Sequence, residues 1–340
     1  MDKQHLRLVA RALVVAGKGI LAADESTGTI AKRFAKIEIP STADSRRAYR
    51  NLLFTTAGVE AFVSGVILFD ETIRQASDDG TPFPQVLAGK GIIPGIKVDA
   101  GAKDLAGFPG ETVTEGLDGL RERLTEYREL GAQFAKWRAV ITIGPGLPTP
   151  TCISANAHAL ARYAALCQEV GLVPIVEPEV LMDGDHSIER CAEVTVDTLQ
   201  AVYSALHEHR VWPEGALLKP NMVLSGKGCP QQAGVQEVAA ATVRCLRATV
   251  PAAVPGIVFL SGGQTAVTAT EHLNAMNQMG PHPWELSFSY GRALQDPPLT
   301  TWKGQAANVP AAQKAFYHRA KLNGAARYGQ YSHEMEVTVG

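Results

Sequence analysis

The chain has 340 residues, 46% of them apolar and 19% charged, and its 32 Lys and Arg against 34 Asp and Glu leave a formal charge of −2. This is the profile of a globular protein with a core large enough to need no staples; the near-zero charge gives no electrostatic footprint for nucleic acid, and the best apolar runs, Val63–Phe69 and Val254–Leu260, are far short of the ~18 to 20 residues of a membrane span. Five cysteines (Cys152, Cys167, Cys191, Cys229 and Cys245), an odd number with no CxxC, point to packed, reduced thiols and a cytoplasmic setting.

Lys3, Arg7 and Arg11 precede Ala12–Ala16, which Gly17 and Lys18 break below the ~7 to 15 residues of a signal h-region, so the N-terminus reads as an amphipathic helix. Eight short apolar runs follow, at Ile20–Asp24, Val63–Phe69, Ile92–Val98, Phe134–Arg138, Val173–Glu179, Ala216–Met222, Gly256–Gly262 and Glu285–Gly291. They are near-continuous rather than alternating, as strands buried on both faces of a parallel sheet must be. Helical spacing of apolar residues fills most of the intervals, over Glu111–Leu130, Ala155–Val170, Glu189–His207, Val235–Val250, Ala266–Met279 and Val309–Ala326. Eight strands alternating with helices predict a single-domain α/β fold, a (β/α)8 TIM barrel over residues 1–340 with a C-terminal tail from about residue 328. A doubly wound sheet is the competitor, but no GxGxxG or GxxxxGK[ST] follows any strand.

Chemistry in such a barrel sits at the C-terminal ends of the strands. Here those ends carry Asp24, Lys97 and Asp99, Lys136 and Arg138, Glu177 and Glu179, Lys219, Ser261-Gly262-Gly263, and Ser289 with Gly291-Arg292. A single residue of this kind is usually a solvated strand end, but charges gathered in one barrel mouth must be paired. Alternation puts Lys136 and Arg138 on one face, and Glu177 and Glu179 likewise. The set suggests imine chemistry: a lysine becomes a nucleophile once burial or a neighbouring cation favours its neutral amine, and Lys219 follows the apolar Ala216-Leu217-Leu218. The loops after strands seven and eight are the usual phosphate site of this barrel, and Arg292 adds a bidentate donor beside the glycine pair, which is otherwise simply a tight turn. Asp183-Gly184-Asp185-His186 imitates a metal loop but reads as a turn with a helix cap, and none of the nine histidines forms HExxH.

Gly19–Gly28, Gly95–Asp99, Phe134–Arg138, Pro174–Glu179, Leu217–Met222, Phe259–Gln264 and Ser289–Leu294 together closely resemble the motifs of class I fructose-1,6-bisphosphate aldolases, from about residue 5 to 330. The resemblance implies reversible cleavage of fructose 1,6-bisphosphate to dihydroxyacetone phosphate and glyceraldehyde 3-phosphate through a lysine imine and enamine, with no metal and no cofactor. It implies that Lys219 forms the Schiff base, Glu177 handles the carbinolamine hydroxyl, and Asp24 takes the C4 hydroxyl proton. Lys136 would depress the pKa of Lys219 with Glu179 as its ion-pair partner. Ser261, Gly262, Gly263, Ser289, Gly291 and Arg292 would hold the first phosphate. Lys97 and Arg138, with Ser26, Thr29, Lys32 and Arg33, would lie towards the second, and Asp99 would support Lys97. Partners implied are phosphorylated sugars and, for the chain itself, a homotetramer, with no nucleic acid and no membrane. In one respect the chain departs from the family: animal members end in a tyrosine on a mobile tail that assists proton exchange at C3, whereas the last tyrosine here is Tyr331. The expectation is therefore that Glu177 or bound phosphate carries that step. Other readings of the same residues are another lysine-imine aldolase or transaldolase-like barrel, and a non-catalytic protein-binding scaffold.

Overall fold

Why the apolar runs are continuous is plain from their surroundings: every one of them becomes a barrel strand packed on both faces. The structure, a computed structural model, describes residues 1–337; the expectation for the end of the tail, at residues 338–340, lies outside them. Among the described residues the barrel strands are β1 (Gly19–Ala22), β2 (Val63–Leu68), β3 (Ile93–Lys97), β4 (Phe134–Ile141), β5 (Val173–Val180), β6 (Leu217–Leu218), β7 (Gly256–Phe259) and β8 (Glu285–Tyr290). Each pairs in parallel with its sequence neighbours, and β8 returns to β1, which closes the barrel. The fold is the single-domain (β/α)8 barrel that the alternation predicts.

One end of the barrel is sealed by apolar residues. Asp2 caps the helix Lys3–Leu13 by accepting from the His5 N–H at 3.0 Å. That helix buries Leu6, Val9, Ala10 and Leu13 against Ile20, Ile67, Phe134, Val173, Ile175, Leu217 and Val258. Each large side chain so buried contributes about 1.5 to 3 kcal/mol, and the plug confines the polar residues to the opposite mouth. The N-terminal segment is thus a core element. Among the described residues no helix is long and apolar enough to cross a membrane.

Two predicted elements differ. The segment Glu111–Leu130 is not one helix. Thr112–Glu115 is a strand, paired antiparallel with Gly101–Asp104, and the helix covers only Leu120–Glu129, entered through Gly119 at φ +64°. Apolar spacing extended the helix too far, although Thr112-Val113-Thr114 is β-branched and favours an extended chain. The run Ala216–Met222 keeps only Leu217–Leu218 in the ladder, because Pro220 has no N–H to donate. Beyond it the chain is held by substitute bonds: the Lys219 N–H donates to the Val176 carbonyl (2.8 Å), Leu260 N–H to the Pro220 carbonyl (3.1 Å), and Val180 N–H to Asn221 Oδ1 (3.0 Å). This fixes the backbone of Lys219 without a regular strand.

Candidate active site

Strand register sets the layers of the mouth. Lys97 on β3 is level with Lys136 on β4, Arg138 is level with Glu177 on β5, and Val140 with Glu179. Lys136, Glu177 and Lys219 are each 3% exposed, so their charges must be satisfied by one another. Glu177 lies between the two lysines, with Oε1 3.2 Å from Lys219 Nζ and Oε2 3.2 Å from Lys136 Nζ. Lys136 Nζ also stands 2.7 Å from Asp24 Oδ2, at the end of β1. The result is a buried chain of alternating charge, Lys219–Glu177–Lys136–Asp24.

Burial by itself would raise the pKa of Asp24, but the positive charges of Lys136, Lys219 and Lys97 outweigh it and hold the carboxyl well below the usual carboxylate range. Burial also disfavours the ammonium of Lys136, yet Asp24, Glu177 and Asp99 outweigh that and raise its pKa. Near neutral pH both groups are therefore charged, and Lys136 is a fixed cation sharing a carboxylate with Lys219.

The predicted pairing of Lys136 with Glu179 is not found. Glu179 pairs with Arg138, and Lys136 pairs with Asp24 and Glu177. Two-residue alternation identifies the face but not the partner: Arg138 lies one layer above Lys136 on β4, and Glu179 one layer above Glu177 on β5. Asp99 does hold Lys97, at 2.9 Å from its Nζ, and its two oxygens also accept from the N–H groups of Gly101 (3.1 Å) and Arg138 (3.2 Å).

After β1 the chain turns into the helix Thr27–Ala35, capped by Ser26, whose Oγ lies 3.1 Å from Thr29 Oγ1. The helix N-terminus and these hydroxyls face the cleft, an arrangement suited to an anion. Arg33 is largely buried although it lies on a surface helix. It is paired with Glu25, a buried carboxylate that also receives Arg50 Nη2 at 2.5 Å and Gln295 Nε2 at 2.7 Å. On the other side, Gly262 and Gly263 adopt φ of +60° and +94°, a left-handed pair that side chains resist. Ser289 Oγ is buried without a hydrogen-bond partner, and Arg292 begins the helix after Gly291 with no ion pair among the described residues.

One cleft of about 480 Å³ gathers the predicted site residues: Asp24, Ser26, Thr29, Lys32, Arg33, Lys97, Lys136, Arg138, Glu177, Glu179, Lys219, Ser261, Gly262, Ser289, Gly291 and Arg292. Gly263 is not among the residues on its wall; a Cβ there would be 3.3 Å from the guanidinium of Arg292. Sequence reasoning missed Glu25 and Lys36, which also line the cleft. Lys36 was findable, since it falls four residues after Lys32 on the same helix face. The role of Glu25 was not, because its partners are 8, 25 and 270 residues away. The Asp183–His186 segment is a turn leading to the Ser187 cap of the helix Ile188–Glu208. Among the described residues no group of three or more His, Cys, Asp and Glu side chains is placed to hold a metal ion.

Residues 5–339 match the family model described as "Fructose-bisphosphate aldolase class-I". The chain is 61% identical over 332 residues to a probable fructose-bisphosphate aldolase class 1 of Xanthomonas campestris pv. campestris, covering 97% of this chain and 99% of that one. It is 53% identical over 332 residues to fructose-bisphosphate aldolase B of Gallus gallus, covering 97% and 91%. Among solved structures it resembles the fructose-bisphosphate aldolase of Plasmodium falciparum, determined in complex with TRAP and a small-molecule inhibitor, with a TM-score of 0.96, 52% identity, and coverage of 97% and 95%.

Proposed function

The chain belongs to the class I fructose-bisphosphate aldolase family, and from that premise we propose how its own side chains divide the work. The reaction is the reversible cleavage of fructose 1,6-bisphosphate, and the substrates are sugar phosphates. The observation that carries the assignment is the sharing of Glu177: its two oxygens stand 3.2 Å from Lys219 Nζ and 3.2 Å from Lys136 Nζ.

Lys219 is the nucleophile. Its ammonium passes a proton to Glu177, and the free amine adds to the C2 carbonyl of the sugar. Glu177, now protonated, returns the proton to the carbinolamine hydroxyl, which leaves as water and gives the iminium. Asp24, kept ionised by Lys136, accepts the C4 hydroxyl proton while the C3–C4 bond breaks, and the electron pair flows into the iminium as an enamine. Glyceraldehyde 3-phosphate leaves; protonation at C3 and hydrolysis release dihydroxyacetone phosphate and restore Lys219. Lys136 stays charged throughout and sets the spacing of the two carboxylates. Ser261, Gly262, Ser289, Gly291 and Arg292 take the phosphate nearest the imine, with Gly263 shaping their loop. Lys97, Arg138, Ser26, Thr29, Lys32 and Arg33 face the other, and Glu179 holds Arg138 for it. Residues 1–340 act as one catalytic domain with a tail from about residue 328, in a cytoplasmic homotetramer.

Reduction with borohydride in the presence of dihydroxyacetone phosphate, followed by peptide mapping, tests this reading. The expected result is irreversible inactivation with the adduct on Lys219, and loss of both in Lys219→Ala. An adduct on another residue, or none, overturns it.

A further inference from the structure

The loop Gly226-Lys227-Gly228 lies against the turn Asp183–His186, and three backbone bonds hold it there. Gly226 N–H donates to the His186 carbonyl (2.8 Å), Lys227 N–H to Met182 (2.8 Å) and Gly228 N–H to Gly184 (2.7 Å). A Cβ on residue 226 would stand 2.5 Å from the Gly184 carbonyl oxygen, so the approach requires glycine. This seam fixes the stem of Lys227 beside the loop that follows β7. A Cβ on Gly263 would be 3.3 Å from Lys227 Nζ and 3.3 Å from Arg292 Nη2, which places an ammonium and a guanidinium around one point.

Two cations that close repel unless an anion joins them. Lys227 is neutralised by Asp183, 2.8 Å away, while Arg292 has no ion pair among the described residues. Ser289 Oγ, on the same side of the cleft, is 99% buried and has no hydrogen-bond partner among the described residues, so it is free to meet a polar ligand.

Resting on the site reading above, we propose that Lys227 is a further binding residue for the phosphate nearest the imine. In the empty site Asp183 holds its ammonium aside; when the phosphate enters between the glycine loop and Arg292, Lys227 turns from Asp183 to a phosphate oxygen. Asp183 is then a holding group that competes with the substrate, and the pair sets how strongly this end of the site selects a phosphorylated ketone over its unphosphorylated analogue.

The test uses the full chain and borohydride trapping, with the half-saturating concentration of dihydroxyacetone phosphate divided by that of dihydroxyacetone. Lys227→Met is expected to raise the ratio roughly five- to tenfold, the loss of a charge-assisted bond at a partly exposed site, and Lys227→Arg to keep it within about twofold. Asp183→Asn is expected to lower the ratio, because the lysine is released. If Asp183→Asn and Lys227→Met move the ratio in the same direction, the pair is only a fastening of the two loops and the proposal is overturned. A normal adduct at Lys219 with an unchanged ratio in Lys227→Met overturns this inference alone, whereas absence of that adduct in the unaltered protein overturns the site reading as well.

Discussion

At the end of the cleft built by β7 and β8, a left-handed glycine turn, Ser289 Oγ without a hydrogen-bond partner and Arg292 without an ion pair, among the described residues, are uncommitted, while Lys227 is held in an exposed pair with Asp183. At the end built by β1, β3 and β4 the half-buried cations are already occupied, Arg33 with Glu25, Lys97 with Asp99 and Arg138 with Glu179, and only Lys32 and Lys36 stand exposed on the rim. The first end can receive an anion on its uncommitted groups, with exchange of the exposed Lys227–Asp183 pair alone. The second must exchange or share ion pairs that are already made, which costs part of what the new contacts contribute. The difference fits the chemistry, since the phosphate next to the imine must stay fixed through cleavage while the aldehyde fragment at the other end has to leave.

The largest effect is expected from Glu25→Gln. Glu25 holds Arg33 and the buried Arg50, and with the carboxylate gone Arg50 keeps only neutral partners. An unpaired buried charge costs about 3 kcal/mol, so urea unfolding should show a marked loss of stability. Arg33, freed, should bind the far phosphate more tightly and lower the KM for fructose 1,6-bisphosphate. Stability falling while KM rises would mean that Arg33 is a structural partner of Glu25 and no ligand, and the contrast would fail.

Removing a guanidinium from each end compares them directly. Arg292→Ala deletes an uncommitted donor and should raise the KM for fructose 1,6-bisphosphate about 10- to 100-fold, corresponding to about 1.5 to 3 kcal/mol for charged hydrogen bonds. Arg33→Ala leaves Glu25 with Arg50 and Gln295 and should raise it about two- to fivefold. Equal effects would show that prior pairing is immaterial.

How these ends are built explains what a reader of the sequence sees and misses. The eight strands are legible because burial on both faces forces continuous apolar runs, and the strand ends stand out because Asp24, Lys136, Glu177 and Lys219 interrupt them. The uncommitted end is legible as well: Ser261-Gly262-Gly263 and Gly291-Arg292 are contiguous, and their role follows from local backbone. The committed end is not, since the pairing of Glu25 with Arg50 and Gln295, or of Glu179 with Arg138 in place of Lys136, depends on register and layer height across the barrel. Lys227 is hidden for the same reason, its partner lying 44 residues earlier. The strands Gly101–Asp104 and Thr112–Glu115 escaped notice because each has only four residues, the first is largely exposed, and the apolar spacing that follows drew the second into a helix.

Between the two ends, the Asp24–Lys136 pair gives a pH dependence with a definite sign. The folded-state pKa of Asp24 is depressed, so the unfolded chain binds the proton more tightly and stability falls as pH falls below the ordinary carboxylate range. The folded-state pKa of Lys136 is raised, so its contribution is complete below the ordinary lysine range and is lost only at more alkaline pH. Unfolding between pH 5 and pH 2 should therefore be less steep in Asp24→Asn than in the parent, by at most about 1.4 kcal/mol per pH unit for one proton. An unchanged slope would mean that the buried charge chain does not stabilise the folded state.

The smallest effect concerns the tail, which supports the uncommitted end from outside. Glu336 takes both Arg319 Nη1 contacts, at 2.7 and 2.5 Å, and the hydroxyl of Tyr331 at 2.7 Å. Arg319 in turn donates to the Ala266 carbonyl and Thr270 Oγ1, on the helix Ala266–Gln278 that leaves the glycine turn. Tyr331 is thus engaged in a latch behind the site and is not on the cleft wall. Tyr331→Phe should leave exchange of the C3 hydrogen of dihydroxyacetone phosphate with solvent within about twofold of the parent, because loss of one hydrogen bond leaves the Arg319–Glu336 pair in place. Glu336→Gln, which weakens that pair, should loosen the start of the helix and shift dihydroxyacetone phosphate binding slightly more than it shifts turnover. A large fall in exchange with Tyr331→Phe would instead make Tyr331 a proton carrier that leaves its latch during turnover, and C3 protonation would no longer fall to Glu177 or the phosphate.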